Sequence, residues 1–268
     1  MNTPGLVTVG LTALGLIAAL AFATWLVSLA RRDVSIVDGM WPVFIGAAGA
    51  YYGWTAPRLD VADIAALALL GLWVVRLCLH ITVRNHGQPE DRRYQAIRAN
   101  NQPGFEFKSL YVVFAFQALL AWIVALPFLA MSRVDASVIA LTLAGATLAA
   151  FGIVFESVAD WQLARFRGRD AGERGVLDTG LWRYSRHPNY FGECCVWWGF
   201  GFMALATGAW WSLASPLLMT VLLLRVSGVS LLERTIGERR PEYARYVRTT
   251  NAFLPGKPRH EPAVARGP

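Results

Sequence analysis

Apolar residues occur along the chain in long runs that short polar stretches interrupt. Seven of these runs are long enough to cross the roughly 30 Å hydrocarbon core of a bilayer as a helix. They cover about residues 5–30, 36–56, 62–84, 109–131, 136–164, 189–208 and 210–231. Because lipid offers no hydrogen bonds, the backbone polar groups must pair within each segment, which favours helix. The pattern therefore predicts an all-α integral membrane protein with seven transmembrane helices.

The basic residues lie almost entirely on one side of these predicted spans. The stretches after the first, third, fifth and seventh spans contain 21 of the 25 Lys and Arg residues. Since positively charged loops remain in the cytoplasm, the N-terminus is predicted to lie outside and the C-terminus in the cytoplasm. The net charge of +7 follows from this topology and from attraction to anionic lipids, so nucleic acid is not expected as a partner.

The composition agrees with a membrane location and argues against a metal site. Only 16% of the residues are charged, whereas a soluble domain carries about a quarter. Cys78, Cys194 and Cys195 lie in apolar runs without the spacing of metal ligands, so no metal site is expected. No internal repeat is visible, which disfavours a carrier built from duplicated halves.

Two of the predicted cytoplasmic stretches contain more than the positive charge that topology requires. Residues 80–94 hold Arg84, Asn85, Glu90, Asp91, Arg92, Arg93 and Tyr94 just after the third span. Farther along, Glu156 and Asp160 are one helical turn apart, and Arg167 lies two turns beyond Asp160 on the same face. Arg165 and Arg167 belong to a basic cluster that suits phosphate, because guanidinium groups bind it with paired hydrogen bonds. The alternative is that these charges are snorkelling anchors and intramolecular ion pairs.

The stretch GLWRYSRHPNYFGE, residues 180–193, places polar groups at the mouth of the sixth predicted span. Pro188 suits the first turn of a helix, which puts Asn189 and Glu193 on one helical face. Arg186 and His187 stand at the N-terminus of that helix, where the positive end of the helix dipole attracts anions. We expect an anion-receiving mouth that leads to a buried carboxylate. The alternative is an ordinary Asn and Glu closing interhelical contacts.

A last polar cluster, residues 231–259, follows the seventh predicted span and includes Tyr243 and Arg248. It predicts either an amphipathic interfacial helix or a lid over the other cytoplasmic loops. The tail 257–268, which is rich in Pro, Arg and Ala, is predicted to be disordered.

These residues resemble the membrane steroid 5α-reductase family, through its bacterial 5α-reductase-like branch. The resemblance runs from about Trp73 to Pro255 and is strongest in ADWQLARFR and GLWRYSRHPNYFGECCVWWG, with Y-x-x-Y-x-x-x-T-x-A-F-x-P near the end. Enzymes of this family have seven transmembrane helices and bind NADPH from the cytoplasmic side. They reduce the C4–C5 double bond of 3-oxo-Δ4-steroids. The resemblance implies an oxidoreductase in the bacterial inner membrane whose active site opens to the cytoplasm.

The resemblance also implies which residues bind NADPH. Asp160 and Arg167 match positions that touch the nucleotide, whereas Asn189 and Glu193 match the motif on the nicotinamide side. Asn85 and its basic neighbours match a loop that cradles the phosphates. The expected cofactor-binding residues are Arg84, Asn85, Arg93, Asp160, Arg165, Arg167, Arg186, His187, Asn189, Tyr190, Glu193, Tyr243 and Arg248. Glu156 stands where the animal enzymes have asparagine.

The substrate side of the resemblance is less direct. The animal enzymes polarise the substrate ketone with a glutamate between the first two spans and a tyrosine on the third. The nearest candidates here are Asp38 for the acid and Trp73 or Tyr94 for the tyrosine. The expected catalytic residues are Asp38, Tyr94 and Glu193, and the expected substrate-binding residues are Asp38, Trp41 and Trp73. A hydride would go to the β-carbon of an apolar enone lipid, while Asp38 or Tyr94 stabilises the enolate oxygen.

The motif RHPNYFG also resembles integral-membrane methyltransferases that act on isoprenylated cysteine or phospholipid headgroups and bind S-adenosylmethionine. The basic loops favour the reductase, because a phosphorylated dinucleotide calls for arginines and a sulfonium calls for acids and aromatics. A third alternative, a non-catalytic receptor or carrier, has no need of arginines that converge with Asn189 on one mouth. We expect a monomer with a substrate-side half at 1–108, a cofactor-binding half at 109–256 and the tail 257–268.

Overall fold

A computed structural model describes residues 5–134, 138–168, 175–226 and 243–259. All regular structure in these ranges is helical. The helices are α1 (Leu6–Arg31), α2 (Ile36–Trp54), α3 (Val61–Asn85), α4 (Arg92–Asn100), α5 (Phe105–Val124), α6 (Leu126–Met131), α7 (Ile139–Arg167), α8 (Pro188–Leu205), α9 (Trp210–Arg225) and α10 (Tyr243–Thr249). The predicted all-α class is therefore confirmed for the described part of the chain.

Four of the helices, α1, α3, α5 and α7, are long and apolar enough to cross a membrane. Helices α2 and α8 coincide with the second and sixth predicted spans, and α9 is a shorter apolar helix. These observations support a membrane protein, while the number of seven spans and the orientation of the termini stay predictions. The end of the span predicted at 210–231 and most of the predicted tail lie outside the described residues.

The chain divides into two compact units. Unit 1 comprises Met1–Thr147 and Gly199–Pro216, and unit 2 comprises Leu148–Trp198 and Leu217–Pro268. The domain bounds predicted from the sequence stay predictions.

In unit 1, α2 packs closely against α3 along a row of glycines. Gly46, Gly49 and Gly53 recur at three- and four-residue spacing and so share one face of α2. A Cβ atom at Gly49 would come within 2.3 Å of Leu70 on α3. Small residues permit this close approach in lipid, where packing rather than the hydrophobic effect holds helices together. The contact fixes α2 and, with it, Asp38 in its first turn.

The polar stretch after α3 folds back onto the turn between α1 and α2. Glu90 accepts hydrogen bonds from the backbone N–H of Val34 at 3.0 Å and from Arg98 Nη2 at 2.8 Å. Asp91 caps α4 by accepting from the backbone N–H of Arg93 at 2.9 Å. A polar sequence without apolar periodicity thus forms a helix because its cap and its ion pairs stabilise it.

In unit 2, α7 and α8 approach each other at two glycines. A Cβ atom at Gly152 would lie 2.6 Å from the carbonyl oxygen of Gly192, and one at Gly192 would lie 2.7 Å from the backbone nitrogen of Glu156. Any side chain at either position would therefore push the helices apart. The contact brings Glu156 and Asp160 beside the first turns of α8.

Helix α10 and the residues after it are bound to the loop that precedes α8. The Tyr246 hydroxyl donates to the carbonyl oxygens of Trp182 and Ser185. Arg186 donates to the carbonyl oxygen of Thr250 at 2.7 Å. These hydrogen bonds fix the loop that leads into α8.

Candidate functional sites

Asp38 lies at the centre of a polar group in unit 1. The Tyr94 hydroxyl donates to Asp38 Oδ1 at 2.6 Å, and Arg93 Nη2 donates to Asp38 Oδ2 at 2.6 Å. Both carboxylate oxygens are therefore engaged by residues of α4. Arg93 also donates through Nε to Asp91 Oδ1 at 3.0 Å, so one guanidinium bridges two acids.

Gln117 completes this group from α5. Its Nε2 donates to the Tyr94 hydroxyl oxygen at 2.9 Å. Gln117 follows a π-helical turn, Leu110–Ala115, a distortion that is frequent near functional sites. Because the phenol oxygen accepts from Gln117, the single hydroxyl proton of Tyr94 is directed at Asp38.

The protonation states in this group follow from burial and charge. Tyr94 is 5% exposed; burial and the neighbouring Asp38 charge both raise its pKa well above the ordinary 10.0. Burial alone would lower the pKa of Arg93, but the charges and hydrogen bonds of Asp38 and Asp91 outweigh it and raise the pKa. Near neutral pH, Tyr94 is thus a neutral hydrogen-bond donor and Arg93 is a cation.

Unit 2 contains a second polar group, formed by α7 and α8. Asn189 Nδ2 donates to Asp160 Oδ1 at 3.1 Å, and Trp197 Nε1 donates to Glu193 Oε1 at 3.0 Å. Asp160, Glu193 and Glu156 are all buried. An amide and three carboxylates in an apolar helix pair can bind hydroxyl and carboxamide groups or a cation.

The mouth of α8 carries two further predicted residues, His187 and Tyr190. Their rings stack in parallel with centroids 5.5 Å apart. Arg186, which precedes them, is buried, and its Nη1 donates to the carbonyl oxygens of Val247 and Thr250. Arg186 therefore has a structural task in addition to the phosphate contact that the sequence predicts for it.

The other predicted site residues differ in exposure. Arg165 and Arg167 are exposed at the end of α7, and the Arg165 guanidinium lies 5.5 Å from the Trp161 ring. In unit 1, exposed Arg84 donates to Asn85 Oδ1 at 3.0 Å. Helix α10 buries Tyr243 and exposes Arg248, whereas Trp73 is fully buried in unit 1 and Trp41 is half-buried.

Two residues of these groups were not predicted from the sequence. Gln117 holds the phenol of Tyr94, and Trp197 holds the carboxylate of Glu193. Gln117 had a signal, since it is a polar residue in the middle of a predicted span. Trp197 had none, because tryptophan is common in apolar segments of this chain.

Comparison with known proteins identifies a family. The family model DUF1295, described as a protein of unknown function, matches residues 24–250. No curated protein and no solved structure gives a significant match. The matched region contains every residue of the two polar groups described above. Because the match covers most of the chain, the chain belongs to the DUF1295 family.

Proposed function

We propose that this protein is an NADPH-dependent reductase of an apolar enone lipid, acting on the C4–C5 double bond of 3-oxo-Δ4-steroids or a similar conjugated ketone. The observation that carries the proposal is the hydrogen bond between Tyr94 and Asp38 at 2.6 Å. The resembling reductase family polarises its ketone with a tyrosine and an acid. Both residues here were candidates from the sequence, and the structure pairs them.

The chemistry assigned to Tyr94 follows from its surroundings. Gln117 donates to the phenol oxygen, and Asp38 accepts the phenol proton. A buried phenol with a raised pKa keeps its proton, so it can donate to the oxygen of a ketone once that oxygen replaces Asp38 as the acceptor. As hydride addition to the β-carbon develops negative charge on that oxygen, the hydrogen bond strengthens. Arg93 balances the charge of Asp38 throughout.

The residues of unit 2 fit the cofactor. Asn189, Asp160 and Glu193 offer an amide and buried carboxylates to the carboxamide and hydroxyl groups of a dinucleotide. Exposed Arg165 and Arg167 offer guanidinium groups to its phosphates. When bound, NADPH supplies the hydride.

The test is reduction of progesterone or testosterone by the purified full-length protein in detergent. We expect enzyme-dependent loss of NADPH absorbance and a product heavier by two hydrogens. Tyr94→Phe should lower kcat by about 100-fold or more and leave the Kd of NADPH unchanged. Arg167→Ala should weaken NADPH binding more than NADH binding. The matched control Tyr111→Phe alters an exposed tyrosine and should leave both constants unchanged.

A second candidate function is methyl transfer from S-adenosylmethionine. The observation that favours it is the set of three buried carboxylates, Glu156, Asp160 and Glu193, because a sulfonium is a cation. Calorimetry separates the two candidates. Binding of S-adenosylmethionine without binding of NADPH would overturn the reductase proposal.

A further inference from the structure

A cavity of about 430 Å³ opens in unit 1 beside the C-terminal end of α1. Its lining includes two guanidinium groups, Arg32 and Arg98, one carboxylate, Glu106, and the apolar side chains of Leu29 and Phe105. Small-molecule sites in proteins typically have volumes of about 300–1,000 Å³. The cavity contains none of the residues assigned to the proposed reductase, and the inference drawn from it does not depend on that function.

Arg98 is held in place before any ligand binds. Its Nε and Nη2 donate to the two oxygens of Glu90 at 3.0 and 2.8 Å, and its guanidinium lies 4.7 Å from the ring of Phe105. A cation fixed in this way loses little side-chain entropy when it binds an anion.

Arg32 differs from Arg98 because its guanidinium forms no ion pair with a carboxylate of the described residues. Its backbone is left-handed, with φ 54°, and its carbonyl oxygen accepts from Arg98 Nη2 at 3.5 Å. The side chain is exposed, and its guanidinium makes no hydrogen bond or ion pair to any described residue. A left-handed residue other than glycine is uncommon and here turns the chain at the end of α1.

The charges around the cavity are of both signs. Arg32 and Arg98 are positive, whereas Glu106 on the lining and the nearby Glu90 and Asp33 are negative, so the surroundings have no positive excess. A site with separated charges of both signs and no positive excess suits a zwitterion better than a net anion. Guanidinium groups bind phosphate, and a carboxylate binds a primary ammonium.

The position of the cavity at a helix end points to a lipid. It lies at the end of α1, a helix that is long and apolar enough to span a membrane, where headgroups meet the protein. Leu29 and Phe105 add an apolar wall of the kind that glycerol and acyl carbons contact.

We infer that this cavity binds the headgroup of an ethanolamine phospholipid, with its phosphate on Arg32 and its ammonium on Glu106. A choline headgroup has no N–H to donate to a carboxylate. A glycerol headgroup carries no cation for Glu106 and adds a net negative charge to surroundings that have no positive excess.

Native mass spectrometry of the delipidated full-length protein in detergent tests the inference. The probes are phosphatidylethanolamine and phosphatidylglycerol with identical acyl chains. We expect Arg32→Gln to weaken phosphatidylethanolamine binding by about tenfold, the effect of one lost charge-assisted contact. The matched control is Arg31→Gln, because Arg31 is a neighbouring exposed arginine that does not line the cavity. It should change binding by less than about twofold.

A second variant tests the ammonium contact without risk to folding, since Glu106 is exposed. Glu106→Gln should remove most of the preference for phosphatidylethanolamine over phosphatidylglycerol. Soluble glycerophosphoethanolamine should compete with the lipid, whereas inorganic phosphate should compete poorly. Equal binding of the two lipids to the wild type would overturn the inference, as would an equal loss in Arg31→Gln and Arg32→Gln.

Discussion

The phenol of Tyr94 on α4 donates a 2.6 Å hydrogen bond to Asp38 on α2, across 56 residues of sequence. Tyr94 is buried and Asp38 is half-buried, and the phenol oxygen also accepts a hydrogen bond from Gln117. Tyr94 and Asp38 lie on different helices, so neither α2 nor α4 alone could form this hydrogen bond. The pair therefore depends on the fold of the polar stretch after α3, which carries Tyr94 back to the start of α2.

Tyr94→Phe is expected to destabilise the protein in a pH-dependent way. At pH 8 the variant should lose about 2 kcal/mol, because it leaves a carboxylate oxygen and an amide donor without their partner. The folded-state pKa of Tyr94 is raised, so its contribution to stability is full below the ordinary value of 10.0 and declines as the pH rises beyond it. The gap in Tm between wild type and variant should therefore narrow above pH 10.0.

Thermal melts in detergent from pH 8 upward measure this gap. Tyr111→Phe, at an exposed tyrosine, is the control and should follow the wild type. A gap of constant size across the alkaline range would contradict the assigned environment of Tyr94.

Glu90→Gln tests how the stability of the fold depends on pH in the acid range. Burial would raise the pKa of Glu90, but hydrogen bonds from Arg98 and from the Val34 N–H, with the Arg98 charge, lower it below the ordinary 4.5. A depressed pKa stabilises the fold above pH 4.5, and this stabilisation is lost as the pH falls through the folded-state pKa. The variant should be less stable by about 1 kcal/mol at pH 7.

The difference between Glu90→Gln and wild type should disappear in strong acid, as measured by Tm against pH. Asp178→Asn is the matched control, since Asp178 is an exposed carboxylate with no hydrogen bond to the described residues. A difference that persists unchanged below pH 4.5 would contradict the assignment.

The long helices could be predicted from the sequence because each one coincides with a long apolar run. The run at 62–84 became α3, Val61–Asn85, with an Asp60–Asp63 capping box at its start. Helix α4 could not be predicted, because it has no apolar periodicity and is stabilised by the Asp91 cap and by ion pairs with distant residues. The candidate acids were visible as polar residues in apolar surroundings, but their partners depend on how the loops fold.

In unit 2, too, the sequence indicated the candidate residues but not their partners. The sequence placed Asn189 and Glu193 on one face of α8 and Asp160 and Arg167 on one face of α7. It did not predict that Asn189 bonds to Asp160, because that contact depends on the distance between the two helices. The glycines set that distance, and only the structure showed which of the many glycines do so.

Tyr246→Phe is expected to loosen the C-terminal segment from the loop before α8. The Tyr246 hydroxyl serves two buried carbonyl oxygens, those of Trp182 and Ser185, and the variant leaves both without this donor. The cost should be about 1–3 kcal/mol. Hydrogen exchange of α10 should accelerate, whereas Tyr111→Phe should leave it unchanged. Unaltered exchange of α10 in Tyr246→Phe would show that other contacts hold the segment.

Gly152→Ala tests whether the close approach of α7 and α8 supports the second polar group. The new methyl would lie 2.6 Å from both the carbonyl oxygen of Gly192 and the backbone nitrogen of Val196, and backbone atoms cannot rotate away. The helices must separate, at a cost of about 1–3 kcal/mol. Gly71→Ala is the matched control, because Gly71 is also helical and has nothing within 4 Å of its Cβ position.

Gly71→Ala should leave the free energy of unfolding unchanged or raise it by up to about 1 kcal/mol, since alanine favours helix over glycine. Separation of α7 and α8 should also lengthen the contact between Asn189 and Asp160, so binding of the cofactor proposed for unit 2 should weaken together with Tm. Weaker binding of NADPH or S-adenosylmethionine in Gly152→Ala, with normal binding in Gly71→Ala, would attribute the loss to helix spacing rather than to helix propensity. An equal Tm for Gly152→Ala and the wild type would mean that the two helices are not held at this distance.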